Sequence, residues 1–70
     1  MLLKEVLDQL EKGFNCDYSI VTREYQDVTI YEGHVKSSEV ENIEISFEYG
    51  TAYASIYLKD SFDELMEKYL

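Results

Sequence analysis

Apolar residues at the start of the chain recur at three- and four-residue steps: Leu3, Val6, Leu7, Leu10 and Phe14. That period lays one apolar stripe along a helix, and Lys4, Glu5, Asp8, Gln9, Glu11 and Lys12 fall on its other face. Gly13, with Asn15 just behind it, suits the left-handed residue that stops a helix. From Asp17 the period changes to two. Tyr18, Ile20 and Thr22 alternate with Ser19, Val21 and Arg23, residues 24–27 read as a turn, and residues 28–36 read as a second strand rich in β-branched and aromatic side chains. Gly33 within it is expected to form a β-bulge that returns Val35 to the face of Val28 and Ile30. The polar connection 37–42 is too short for a parallel crossover, so the next strand is expected to run antiparallel.

The third strand has the cleanest alternation: Ile43, Ile45, Phe47 and Tyr49 on one face, Glu44, Ser46 and Glu48 on the other. A turn at Gly50-Thr51 leads to a fourth strand with Ala52, Ala54, Ile56 and Leu58 inward and Tyr53, Ser55 and Tyr57 outward. The chain closes with a helix. Ser61 and Glu64 have capping-box spacing, and Phe62, Leu65, Met66 and Tyr69 form its stripe. The expected fold is therefore α+β, a single domain over residues 1–70 in the order α-β-β-β-β-α. It has a four-stranded antiparallel sheet with both helices on one face, which covers each apolar surface once.

Charge changes this picture more than any other property. Fifteen Asp and Glu face six Lys and Arg on 70 residues, a formal charge of -9. Nucleic-acid binding requires cations that displace counterions from phosphate, and here they are scattered and outnumbered. No direct binding to nucleic acid and no membrane partner is expected. No apolar run approaches the ~18 residues of a membrane span. The acid-bearing amphipathic start is unlike a signal peptide, and the lone Cys16 fits a reducing compartment. The expected location is cytoplasmic, in whatever cell hosts the chain, and a bacterial cell if the resemblance described below holds.

Chemistry is poorly supplied. Cys16 and His34 are the only Cys–His combination. Cys16 follows a helix C-terminus and precedes Asp17, surroundings that disfavour a reactive thiolate, and His34 has no partner at fixed spacing. Calcium-loop, P-loop and dinucleotide-binding glycine patterns are absent. No enzyme activity, cofactor or metal is expected.

What remains is a surface. Glu39, Glu41, Glu44 and Glu48 form an acidic track along the third strand, Tyr53 and Tyr57 share its outer face, and Glu32 with Tyr31 joins it if the bulge at Gly33 turns them outward. Carboxylates two residues apart on a strand repeat every ~6.8 Å, a spacing suited to stand in for backbone phosphates. Tyrosine adds contact area at low entropic cost. Solvation alone would also place polar residues there. It does not account for the choice of Glu over Lys, the residue that edge strands ordinarily prefer.

A very short, acidic, proline-free chain of this layout resembles the small accessory proteins of bacteriophages and mobile elements. It is similar in style to the anti-CRISPR inhibitors of Cas nucleases. The resemblance covers the whole chain in size, charge and layout, and the segment Ile30-Tyr31-Glu32-Gly33-His34-Val35 is similar to phage reading frames. It implies an inhibitor that acts as a nucleic-acid mimic. The implied partner is a basic nucleic-acid-binding protein such as a Cas nuclease, blocked at the cleft that reads the PAM. The alternative is a homo-oligomeric accessory domain, a homodimer paired through the outer sheet face or an exposed edge.

Overall fold

The computed structural model describes the backbone of residues 1–13 and 16–69, and the side chains of all these except Gly13 and Tyr69. Five elements follow in chain order: helix α1 (Leu3–Gly13), strands β1 (Asp17–Val21), β2 (Val40–Glu48) and β3 (Thr51–Leu58), and helix α2 (Phe62–Tyr69). The class is α+β, as the periodicities require. The sheet, however, has three strands and is mixed, in the order β1-β3-β2. β3 pairs parallel with β1 and antiparallel with β2.

The expected second strand does not form. Residues 28–36 hold instead a short 3-10 turn (Thr29–Tyr31) followed by further turns. Local side-chain chemistry decides this. The Asp27 carboxylate accepts the Thr29 N–H at 2.8 Å and the Thr29 hydroxyl at 2.6 Å, an arrangement that competes with any ladder. The following N–H groups then bond three residues back: Tyr31 to Val28, Glu32 to Thr29, His34 to Tyr31 and Val35 to Glu32. Gly33 makes no bulge. Val28 and Val35 both reach the core, but by a coiled path that leaves Ile30 exposed.

The core lies between the helices and one face of the sheet. Leu3, Val6, Leu7 and Leu10 of α1, Leu65 of α2, Val28 and Val35 of the turn segment, and Ile20, Ile56 and Leu58 of the sheet form one buried cluster. Both helices thus pack on the same side. The first-helix stripe is as expected through Leu10, while Phe14 and Asn15 lie outside the described residues, as does the Tyr69 side chain.

Residues of the connections between elements finish both helix N-termini, whose first N–H groups have no partner inside the helix. For α1, the Leu3 and Lys4 N–H groups donate to the carbonyls of Ser38 and Lys36 at 2.9 and 3.0 Å, and Glu5 reaches back to the Leu2 N–H at 3.1 Å. For α2, Ser61 accepts the Glu64 N–H at 3.2 Å. That is half of the expected capping box, since the Glu64 carboxylate turns to Arg23 at 3.6 Å instead. Glu24 supplies the other part by accepting the Phe62 N–H at 3.0 Å. This bond, helped by the Thr22 hydroxyl, holds the Glu24 carboxyl below its ordinary pKa.

The β2–β3 turn is Tyr49-Gly50, one residue earlier than expected. Glu48 pairs with Thr51, and both turn residues take positive φ, 51° and 78°. That is the geometry of a two-residue type I′ hairpin, which needs φ > 0 at both central positions. Gly50 meets the demand freely and Tyr49 does not. The register sets Ile43 opposite Ile56, Ile45 opposite Ala54 and Phe47 opposite Ala52, all on the helix side of the sheet.

Candidate protein-binding face

Among the described residues no helix or strand covers the other side of the sheet. By strand alternation and register it presents Asp17, Ser19 and Val21 from β1, Tyr53, Ser55 and Tyr57 from β3, and Asn42, Glu44, Ser46 and Glu48 from β2. No lysine or arginine occurs in any of the three strands. The nearest cations sit past the end of β3 and are engaged: Lys59 with Glu39 at 3.0 Å, and Arg23 with Glu24 and Glu64 at 3.6 Å each. Lys4, Lys12 and Lys68 belong to the helices, where acids accompany them. Negative charge on the open face is therefore uncompensated from its middle to the hairpin tip.

Five of the seven residues singled out from the sequence come together here. Glu44 accepts the Tyr57 hydroxyl at 3.0 Å, and that bond raises the phenol's pKa above its ordinary value. Glu41, at the β-bulge between Val40 and Asn42, joins Glu44, Asn42, Tyr57, Tyr25 and Arg23 around an open hollow of about 260 Å³. Glu48, Tyr53, Ser46, Thr51 and Tyr49 line a shallower concavity at the tip.

The other two lie elsewhere. Glu39 is neutralised by Lys59 and bridged to Leu2. Glu32 is in the turn segment on the helix side and accepts the Tyr18 hydroxyl at 2.8 Å. Partial burial and this carboxylate push the Tyr18 pKa up to about 12.

Three contributors were not legible in the sequence. Asp17 joins the face because β1 pairs with β3, placing it beside Tyr53. Tyr25, at φ 67°, meets Tyr57 edge to face with ring centroids 5.4 Å apart. Tyr49 stands fully exposed on the turn. Only the positive-φ demand of a hairpin ending in Gly50 hinted at the last of these.

Cys16 is half-buried against the core and His34 is exposed. Among the described residues no helix is long and apolar enough to cross a membrane. No family model, characterised protein or solved structure matches this chain.

Proposed function

We propose that the protein is an acidic decoy, an inhibitor whose open sheet face occupies a basic nucleic-acid-binding cleft on another protein. In the finer form of this reading the partner is a bacterial defence nuclease of the Cas type, met at the surface that reads its DNA. Glu41, Glu44, Glu48 and Asp17 take the places of phosphates. Tyr53, Tyr57, Tyr25 and Tyr49 supply contact area between them. The face is rigid enough for this role because β3, its middle strand, is hydrogen-bonded on both sides and anchored by the fully buried Ala54, Ile56 and Leu58, which reduces the ordering cost of association.

The observation that carries the reading is the distribution of sign. Lysines are distributed over the helical layer and the loops, yet a whole sheet face holds acids, serines and tyrosines, with Asn42 and Val21, and no lysine among them. Solvation does not require that segregation.

The test is competition with DNA for a purified, basic, nucleic-acid-guided nuclease. The protein should displace DNA, with affinity falling steeply as salt rises from 0.1 M, where screening acts over about 10 Å, toward 1 M, where it acts over about 3 Å. The triple reversal Glu41→Lys, Glu44→Lys and Glu48→Lys should abolish displacement while leaving the circular dichroism spectrum unchanged. Displacement that survives the reversal would refute the decoy.

A further inference from the structure

The outer edge of β2 is left unfinished. β3 takes one side of the strand, and among the described residues no other element pairs with residues 41–48. The β1 edge is different. There the chain folds back, with the Val28 N–H on the Ile20 carbonyl at 2.8 Å, the Ile20 N–H on the Thr29 hydroxyl at 3.3 Å and an Asp27–Val21 bridge. The two-residue turn closes on the hydrogen-bonded pair Glu48–Thr51. By antiparallel alternation, the peptide groups of Asn42, Glu44, Ser46 and Glu48 face β3, and those of Ile43, Ile45 and Phe47 face outward. The same three residues carry exposed apolar side chains. Edges of this kind are usually blunted by charged side chains, above all lysine, by proline or by a bulge; residues 42–48 contain no lysine, proline or bulge, and their charges are the two carboxylates Glu44 and Glu48.

We propose that a second copy of the chain completes this edge. The two β2 strands pair antiparallel across a two-fold axis at Ile45, so that Ile45 of one copy faces Ile45 of the other. This register is self-complementary: Ile43 faces Phe47, Glu44 faces Ser46 and Asn42 faces Glu48. No carboxylate directly opposes another.

Its neighbours fail on charge or on space. An axis at Glu44 sets Glu44 against itself, and an axis at Ser46 sets Glu44 against Glu48 twice, both repulsive. An axis at Ile43 brings Val40 into the pairing, but the Val40 N–H is already held by the Met1 carbonyl at 2.8 Å and Leu2 is bridged to Glu39. An axis at Phe47 pairs only residues 46–48. At Ile45, residues 42–48 pair along their whole length, with two backbone hydrogen bonds at each outward-facing pair. The axis is perpendicular to the sheet, so Ile43, Ile45 and Phe47 of both copies form one apolar strip on the helix side. The two acidic faces become continuous on the other.

The dimer does not depend on the decoy reading, because it uses the strand backbone and the odd-numbered side chains. Its salt dependence also has the opposite sign. Each copy carries a formal charge of -9, so added salt screens repulsion and tightens the pair.

Sedimentation equilibrium across a concentration series should show a species of twice the 8.2 kDa chain mass, favoured by salt. I45K sets like charges together at the axis and should leave a folded monomer. S46K sets a cation opposite Glu44 of the other copy and should tighten the dimer several-fold, whereas an axis at Ser46 predicts the reverse. If I45K does not fold, F47K, at a position 75% exposed in the single chain, sets an ammonium against Ile43 of the other copy and should weaken the dimer by removing that apolar pair. A single-chain mass at every concentration, a dimer indifferent to I45K and F47K, or a dimer weakened by S46K each overturns the proposal. I45K leaves Glu41, Glu44 and Glu48 in place, so its DNA competition is read separately from its mass.

Discussion

The two ends of the β2–β3 hairpin obey one alternation and meet opposite fates. At the base, Ile56 and Leu58 point toward the helices and are fully buried, in one cluster with Leu3, Leu7 and Leu65. Along β2 and toward the tip, Ile43, Ile45 and Phe47 point to the same side and are 37%, 45% and 75% exposed. The difference is one of reach. α1 and α2 are short, with eleven and eight residues, and they cover the β1–β3 part of the sheet. A period of two assigns side chains to a face, but it carries no information on whether another layer extends far enough to cover them.

The largest effect that could break this comparison is at the buried end. Ile56→Ala removes a side chain packed on all sides and should cost about 2–5 kcal/mol of stability. Ile45→Ala, on the same face but two residues along β2 from Ile43, the partner of Ile56, should change the stability of the single chain by about 0.5–1 kcal/mol. Urea melts at concentrations low enough to hold the protein monomeric measure both. Equal losses would mean that the tip is covered after all.

A second difference sharpens the comparison through pH. Tyr18 shares the helix side of the sheet with Ile20 and gives its hydroxyl to Glu32; burial first, and that carboxylate second, raise its pKa from 10 to about 12. A raised folded-state pKa means that the fold favours the neutral phenol. The contribution is complete below about pH 10, the unfolded value, and is lost as pH rises toward 12. Tyr18→Phe should therefore flatten the decline of thermal midpoint over that interval, and an unaltered decline would show that the Tyr18–Glu32 bond does not contribute to it.

The smallest expected effect lies at the tip itself. Tyr49 is held at φ 51° in a turn whose other residue is glycine. Left-handed backbone disfavours a tyrosine, and Asn-Gly is among the best type I′ pairs. Tyr49→Asn should stabilise the hairpin by a few tenths to about 1 kcal/mol, read as a higher urea midpoint at unchanged slope. A loss instead would show that the exposed ring makes contacts worth more than the backbone strain.

Residue by residue, the elements with strong periods were legible: α1 through Leu10, the alternation of β2 and β3, and the Ser61 start of α2. The segment after Asp27 was not, because Val28, Ile30 and Val35 satisfy a strand pattern as readily as a chain of turns. The choice between them rests on a carboxylate two residues before a threonine. The acidic face was half legible for a related reason. Glu44, Glu48, Tyr53 and Tyr57 follow from alternation within one hairpin, whereas Asp17 enters only through the pairing of β1 with β3, and Glu32 leaves once its strand becomes a turn.

Alone, the order of amino acids determined which residues are apolar neighbours along each helix and strand, because those relations repeat over two to four positions and need no distant partner. It also set the excess of negative charge. Tertiary structure decided that β3 lies between β1 and β2, that residues 24 and 36–38 finish the helix starts, and that β2 keeps a bare edge with isoleucines beside it. Each of these is a contact between segments far apart in the chain. Its energy depends on what else is already in place, so no local pattern encodes it.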